Sequence, residues 1–257
     1  MRTLSIINLK GGVGKTATAV NLAAILAADH GQRVLLVDAD AQCNTTEFYG
    51  GDPENGNLAE VLRAAPESAG AYAVTCIQET KTEGVDLLAA SDELMDLDLT
   101  AVSMQAASVS CLKDMAELLT EKDMYDWCII DCPPAFNAAS AAALLASGEA
   151  MIPMKLDAFS LRGMGNIMRQ MQNMKQLNPG LKLAGILPTM WYSSPTIKKA
   201  EEQLKASGLP VFGHIRRTPT IDVMTFRQEP IIVSSPRSAA AADYRRLACE
   251  LIQGGAM

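Results

Sequence analysis

The chain has 257 residues, 49% of them hydrophobic, with 22 Lys+Arg against 29 Asp+Glu for a formal net charge of −7. That length suits one large α/β domain with a sizeable core, no uninterrupted apolar run approaches the roughly 20 residues of a membrane span, and the acidic balance argues against a surface coated in cations for nucleic acid. Six cysteines without a C-x-x-C pair, and only two histidines (His30 and His214) with no partner at metal-ligand spacing, leave zinc hydrolysis and histidine-based nucleophilic catalysis without their parts, so any catalysis rests on carboxylates, lysines and a bound ion.

Residues 3–8 form a short apolar run, read as a strand rather than a signal peptide, which gives a cytoplasmic expectation. A glycine-rich turn follows, then residues 16–29, where Ala, Leu, Ile and Val cover nearly the whole helical circumference, as in a buried helix. Gly31 stops that helix, and residues 33–38 supply a second strand of the continuous apolar kind found in parallel sheets. Residues 85–89, 127–131, 150–154, 183–187 and 211–215 are also strand-like, with helical stretches between most of them. Residues 64–83 read as irregular surface and residues 91–119 as helix with weak punctuation. A last helix over residues 239–253 gathers Tyr244, Leu247, Ala248, Leu251 and Ile252 on one face, and Gly254-Gly255 ends it. Strands alternating with helices imply an α/β fold: a mostly parallel, twisted sheet with helices on both faces, in one domain spanning residues 1–257.

The turn between the first strand and helix reads Lys10-Gly11-Gly12-Val13-Gly14-Lys15-Thr16. Successive backbone N–H groups in such a turn converge on a phosphate, and the helix N-terminus adds its partial positive charge. Lys15 is placed to reach the terminal phosphates and the Thr16 hydroxyl to ligate Mg²⁺, with Ala17 next on the helix. The strict pattern G-x-x-x-x-G-K-[ST] fails, because Leu9 stands where its first glycine would be, and an extra lysine, Lys10, appears instead. Asp38, Asp40 and Asp131 sit at the carboxyl ends of strands, where ligands bind in parallel sheets.

This segment resembles the deviant Walker A motif of the ParA/MinD family of ATPases. Val37-Asp-Ala-Asp-Ala-Gln42 resembles the family's V-D-x-D-P-Q, Ile129-Ile-Asp-Cys-Pro-Pro134 its Walker B strand and switch, and Glu229-Pro-Ile-Ile and Ser235-Pro-Arg-Ser its K-P-I-I and D-P-K-S. The likeness covers essentially the full length and is nearest to the ParA (Soj-like) partition branch. It implies a single-domain P-loop fold that binds ATP and Mg²⁺ and hydrolyses ATP to ADP and phosphate. Lys10 then crosses to the partner's nucleotide in an ATP-bound homodimer, Asp40 positions the attacking water, Asp131 holds the magnesium through its water shell, and Asp38 supports the metal site.

The ParA branch further implies binding of duplex DNA without sequence preference and a ParB-like partner that stimulates hydrolysis. From Trp191 onward nine Lys/Arg face six Asp/Glu, so a basic balance exists locally, and the candidate DNA contacts are Lys198, Lys199, Arg216, Arg217, Arg227, Arg245 and Arg246. Lys198 with Glu202, and Glu201 with Lys205, are spaced i to i+4, so that helix also reads as a solvated, ion-paired face. The family's I-P-R-N-V-R becomes Ile215-Arg-Arg-Thr-Pro-Thr220, with Arg216 in place of the proline and Thr220 in place of the second arginine. The MinD branch ends in a basic amphipathic membrane helix; here the chain stops at residues 254–257 after a packed helix, so no stable membrane association is expected. Iron–sulfur carriers on the same core need interface cysteines, and Cys132 stands without a C-x-x-C. Small-molecule ligases on a related fold have no sequence feature in their favour. The stripe Ile167, Met168, Met171, Met174, Leu177 reads as core rather than a partner surface.

Overall fold

A computed structural model describes residues 1–97 and 108–254. Seven strands form one sheet: β1 (Arg2–Ile6), β2 (Val34–Asp38), β3 (Ile77–Glu79), β4 (Val85–Leu88), β5 (Trp127–Asp131), β6 (Glu149–Lys155) and β7 (Lys182–Thr189). Their order is β3-β4-β2-β5-β1-β6-β7, with every pairing parallel except β3 against β4 at the edge. β1 lies beside the central strand β5 and is flanked on its other side by β6, so its carboxyl end opens onto the interior of the sheet's upper rim.

Side chains alternate between two cores, as the period of two in a strand requires. Leu4, Ile6, Val34, Leu36, Trp127 and Ile129 face one layer, built from α1 (Lys15–His30) and the last helix, α11 (Ala239–Ile252). Leu35, Val37, Cys128 and Ile130 face the other. That second layer holds α3 (Leu58–Arg63), α4 (Pro66–Thr75), α5 (Cys111–Glu121), α6 (Ala138–Ala146), α7 (Ala158–Met174) and α8 (Pro195–Lys205). The short helices α2 (Asn44–Tyr49), α9 (Thr220–Arg227) and α10 (Ile231–Ser234) sit along the rim above α1. Ile167, Met171 and Met174 of the α7 stripe are buried in the core, whereas Leu177 beyond the helix is exposed.

Two stretches differ from their sequence reading. Residues 64–83 contain α4 and the edge strand β3, not irregular surface. Pro66 sits in the first helical turn, where its missing N–H has no partner to lose. Gly70 is where α5 crosses: a Cβ there would lie 2.6 Å from the Asp114 Cβ and 3.0 Å from its backbone, so a residue that looks like a breaker lets two helices touch. Residues 211–215 do not form a strand; they run beside β7 with bridges at Val211 and Arg216 only. Phe212 and Ile215 donate to the Ile186 and Pro188 carbonyls, but these donors are three residues apart where a continuous ladder uses every second residue, so the pairing slips between them, while the Gly213 N–H on the other side binds the Glu250 carboxylate. Of the helix expected over residues 91–119, α5 is present, a 3₁₀ turn occupies Asp92–Asp96, and residues 98–107 lie outside the described residues.

Candidate nucleotide site

The turn leaving β1 is built for an anion. Gly12 and Gly14 adopt φ of +68° and +86°, which lets the backbone curl so that its N–H groups face inward above the α1 N-terminus. The loop is braced from one side, on β6 and β7. Asn8 donates to the Pro153 carbonyl on β6 at 2.7 Å and accepts from the Lys10 N–H at 3.0 Å. Thr189 on β7 donates to the Val13 carbonyl at 2.8 Å.

Lys15 is buried at the start of α1, where desolvation lowers its pKa against the pull of Asp131 and Asp40. A cation held in this way lacks a full counter-charge and is primed for a polyanion. Across the sheet, Asp38 pairs in register with Asp131. Burial and mutual repulsion push Asp38 up to about 7. Burial also pushes Asp131 up to about 6, opposed by the neighbouring Thr16 and Thr45 hydroxyls and the Lys15 ammonium. The two differ in what their oxygens do. Both oxygens of Asp38 are taken by the turn and helix that follow it: Oδ1 by the Asp40 N–H, Oδ2 by the N–H and hydroxyl of Thr46 on α2. Asp131 accepts from Thr45 at Oδ2, while its Oδ1 is buried with no hydrogen-bond partner. That orphaned oxygen, close to Thr16, fits a hydrated divalent cation. No cluster of three or more His, Cys, Asp or Glu competes for a metal among the described residues, so water and phosphate oxygens would complete the shell of a Mg²⁺ there.

Asp40 is half-buried at the rim and accepts the Gln42 N–H, at 3.1 Å, within a short turn. Lys10 does not extend into solvent. Its ammonium binds both Asp157 oxygens, at 2.9 and 3.1 Å, and the Ser160 hydroxyl at 3.0 Å. Partial burial opposes it, yet Lys10 and Ser160 hold the Asp157 carboxyl down at about 2. Asp157 also accepts the Ser160 N–H, so it fastens the start of α7 and the lysine together.

Beside Gly14 and Ala17 a crevice of about 500 Å³ runs between the turn after β7 and the segment preceding α9. Met190, Tyr192, Arg217, Thr218, Pro219 and Asp222 line it, with Lys155 at its mouth. A larger depression, about 740 Å³, lies at the opposite end of the sheet around Met1, Arg2 and Gly148, where there is neither a glycine turn nor a helix N-terminus to hold an anion.

The seven cations considered for DNA separate into two groups. Lys198, Lys199, Arg217 and Arg227 are exposed and enter no ion pair among the described residues. Arg216 is clamped on the buried Asp243, Arg245 on Asp29, and Arg246 on Asp243 and Glu250. Spacing gave no hint of Asp157, Ser160, Thr45 or Thr46, because each meets the site only through the sheet order or a helix turn.

A family model described as an AAA domain matches residues 1–183. The chain is 31% identical to the chromosome partitioning protein ParA of Caulobacter vibrioides, over 98% of this chain and 94% of that protein. It is 33% identical to the sporulation initiation inhibitor protein Soj of Bacillus subtilis, over 99% of each. A solved structure of cobyrinic acid a,c-diamide synthase from Mycobacterium smegmatis, with bound ADP and magnesium, shares 30% identity and a TM-score of 0.81 over 98% of this chain and 94% of that one. Cell division ATPase MinD of Pyrococcus furiosus shares the fold, with a TM-score of 0.77 over 98% of both chains at 24% identity.

Proposed function

Because the chain belongs to the ParA/MinD family of P-loop ATPases, we propose that it is a partition switch: ATP closes two copies into a dimer, the dimer holds duplex DNA without sequence preference, and hydrolysis stimulated by a ParB-like partner releases it. The observation that carries this reading is Lys10, a second lysine in a loop that already has Lys15, held by a carboxylate at the rim rather than needed by the loop's own fold.

The backbone of Gly11 to Thr16 cradles the phosphates, Lys15 neutralises the terminal ones, and the 500 Å³ crevice takes the base and ribose. Magnesium, held by Thr16 and the free oxygen of Asp131, would neutralise charge on the phosphates. Asp40 orients an attacking water at the rim, and Asp38 fixes the turn that carries Asp40. Lys10 of each subunit supplies a further cation to the other's phosphates, stabilising the charge that builds as the terminal phosphoryl group departs. Lys198, Lys199, Arg217 and Arg227 are the cations available to DNA phosphates; Arg216, Arg245 and Arg246 shape that face from within their ion pairs.

No helix among the described residues is long and apolar enough to cross a membrane, and the Tyr244, Leu247 and Leu251 face of α11 is buried in the core. The likeness to a cobyrinic acid a,c-diamide synthase supports a second reading, a small-molecule ligase. A ligase would turn over ATP only with an acid and an amine donor present, whereas a partition switch responds to DNA and a protein partner.

The test is fluorescence anisotropy of a labelled duplex of arbitrary sequence. ATP with Mg²⁺ should produce salt-sensitive binding, Lys10→Ala should abolish it, and Asp40→Ala should hold the complex in its bound form. If the ATP-loaded protein dimerises but shifts no duplex at low salt, the DNA reading is wrong.

A further inference from the structure

The crevice beside Gly14 has two walls from distant parts of the chain, the turn through Met190 to Tyr192 and the segment from Ile215 to Thr218. They are tied together behind the crevice. The Trp191 ring lies flat on the His214 ring, with centroids 3.9 Å apart and planes within 3°. Both rings bind one carboxylate: Trp191 Nε1 donates to Glu201 Oε2 at 2.8 Å, and His214 Nδ1 meets Oε1 at 3.1 Å. Lys205 adds a contact to Oε1 at 3.0 Å. Glu201, on α8, is 8% exposed. Burial opposes its ionisation, but the His214 and Lys205 contacts hold it below the usual carboxylate range. Glu201 is therefore an acceptor at both oxygens, and His214 Nδ1 carries the hydrogen.

The backbone completes the tie. The Trp191 N–H donates to the Ile215 carbonyl at 3.0 Å, and the Arg217 N–H donates to the Trp191 carbonyl at 2.8 Å. Trp191 is held behind the crevice by these two bonds, and Met190 and Tyr192 on either side of it line the crevice. Met190 itself stands at φ +51°, a left-handed conformation that a side chain such as methionine adopts only when its surroundings enforce it. The cluster also reaches the cationic helix: the His214 carbonyl accepts from Arg246 at 2.7 Å.

We infer that Trp191, His214 and Glu201 form a positioning unit for the base end of the nucleotide, holding the two crevice walls at the separation that admits it. The inference rests on the reading of the crevice as the base subsite. Apolar packing would hold the two segments together equally well, whereas a shared carboxylate fixes the direction of both rings and hence of the walls they carry.

Calorimetric titration with Mg-ATP and with Mg-tripolyphosphate, which has phosphates and no base, tests it. Glu201→Gln keeps the shape of the side chain but cannot accept from both rings. It should weaken ATP about tenfold, the loss of a charged hydrogen bond's worth of alignment, while leaving tripolyphosphate binding and kcat at saturating ATP unchanged. His214→Phe keeps the stack, should show the same split to a smaller degree, and carries the test if Glu201→Gln melts far below the wild type. Trp191 emission should change with ATP and not with tripolyphosphate; Trp127, the other tryptophan, is buried under the sheet. Unchanged ATP affinity in a folded variant, or equal weakening of both ligands, overturns the positioning role. Wild-type protein that binds ATP no more tightly than tripolyphosphate overturns the base-subsite reading itself, and the inference with it.

Discussion

The dimer proposed here requires Lys10 to leave Asp157, and the cost of that step can be worked from the contacts. Lys10 and Asp157 keep 40% and 27% of their side-chain surface exposed, so solvent screens the pair and its worth is that of a surface ion pair, about 0.2–1 kcal/mol. The Ser160 hydroxyl adds a net hydrogen bond of about 0.5–1 kcal/mol. Each protomer therefore gives up on the order of 1 kcal/mol, and a symmetric dimer gives it up twice. Asp157→Asn removes the charge but keeps an oxygen to accept the Ser160 N–H that starts α7, so the helix cap survives. Losing the charge alone should release about 0.7 kcal/mol per protomer, about 1.4 for the pair, which is a tenfold tighter dimer.

Sedimentation of Asp157→Asn against the parent in Mg-ATP measures this, with Asp40→Ala in both to suppress hydrolysis. The parent should need about ten times the concentration of the variant to reach half-dimer. Without nucleotide neither should dimerise, and Lys10→Ala should remain monomeric throughout. If Asp157→Asn dimerises more weakly than the parent, Asp157 supports the assembled state rather than restraining Lys10, and the reasoning fails.

Other outcomes follow from the same geometry. The pKa values of Asp38 and Asp131 are raised to about 7 and about 6, so their contribution to stability is full below the ordinary carboxylate range and is lost as pH rises through 6 to 7. Metal-free, nucleotide-free protein should thus melt at a falling temperature across that window, and Mg²⁺ with ATP should bind more tightly as pH rises through it, with proton release visible by calorimetry in buffers of different ionisation enthalpy. Arg216→Ala leaves Asp243, 1% exposed, with Arg246 alone, and should cost about 2–4 kcal/mol in urea unfolding. Arg217→Ala should leave that stability within about 0.5 kcal/mol and instead make DNA binding less steeply salt-dependent, by about one released counterion for the phosphate that the guanidinium neutralises. Lys15→Ala should abolish detectable ATP binding in the same titrations while raising thermal stability in the absence of nucleotide, because it removes a buried cation whose charge is opposed by desolvation.

Most of the sheet was legible because parallel strands buried on both faces write continuous apolar runs. Trp127 to Asp131 is read to the residue, and β1, β2, β4, β6 and β7 to within one or two at either end. The same signal misled at Val211, where an apolar stretch lies beside β7 but donates to it from Phe212 and Ile215, three residues apart, out of the every-second-residue step of a strand. Pro66 and Gly70 misled in the opposite direction, each punctuating the sequence while serving a helix. At the site, the loop and its aspartates could be read because each follows a strand directly. The restraint on Lys10 could not, since residue 157 reaches residue 10 only when β6 lies beside β1. The arginines illustrate the same limit: their count showed a basic region, but Asp243 and Asp29 decide which of them are free, and those partners lie far along the chain or across a helix.

The departures within the family's I-P-R-N-V-R segment have a structural reason for coexisting with the phosphate loop. Proline at position 216 has no N–H, whereas the Arg216 N–H donates to Asp243 at 3.0 Å and its guanidinium closes on the same carboxylate at 2.8 Å. The substitution thus replaces a stiff residue with a residue pinned from both backbone and side chain, so the segment keeps its rigidity by another means. Arg217 and Thr218 on that segment face the crevice, and the segment ends at α9, whose Phe226 and Arg227 are exposed. The phosphate loop, by contrast, is braced by Asn8 and Thr189 and makes none of these contacts. Both nevertheless rest on the end of β7, where Thr189 holds the loop and the Pro188 carbonyl accepts the Ile215 N–H, so side chains on the segment can change while this backbone anchor keeps it beside the loop. On the proposed reading, substitutions over residues 216–220 change the grip on DNA without touching the groups that hold the phosphates.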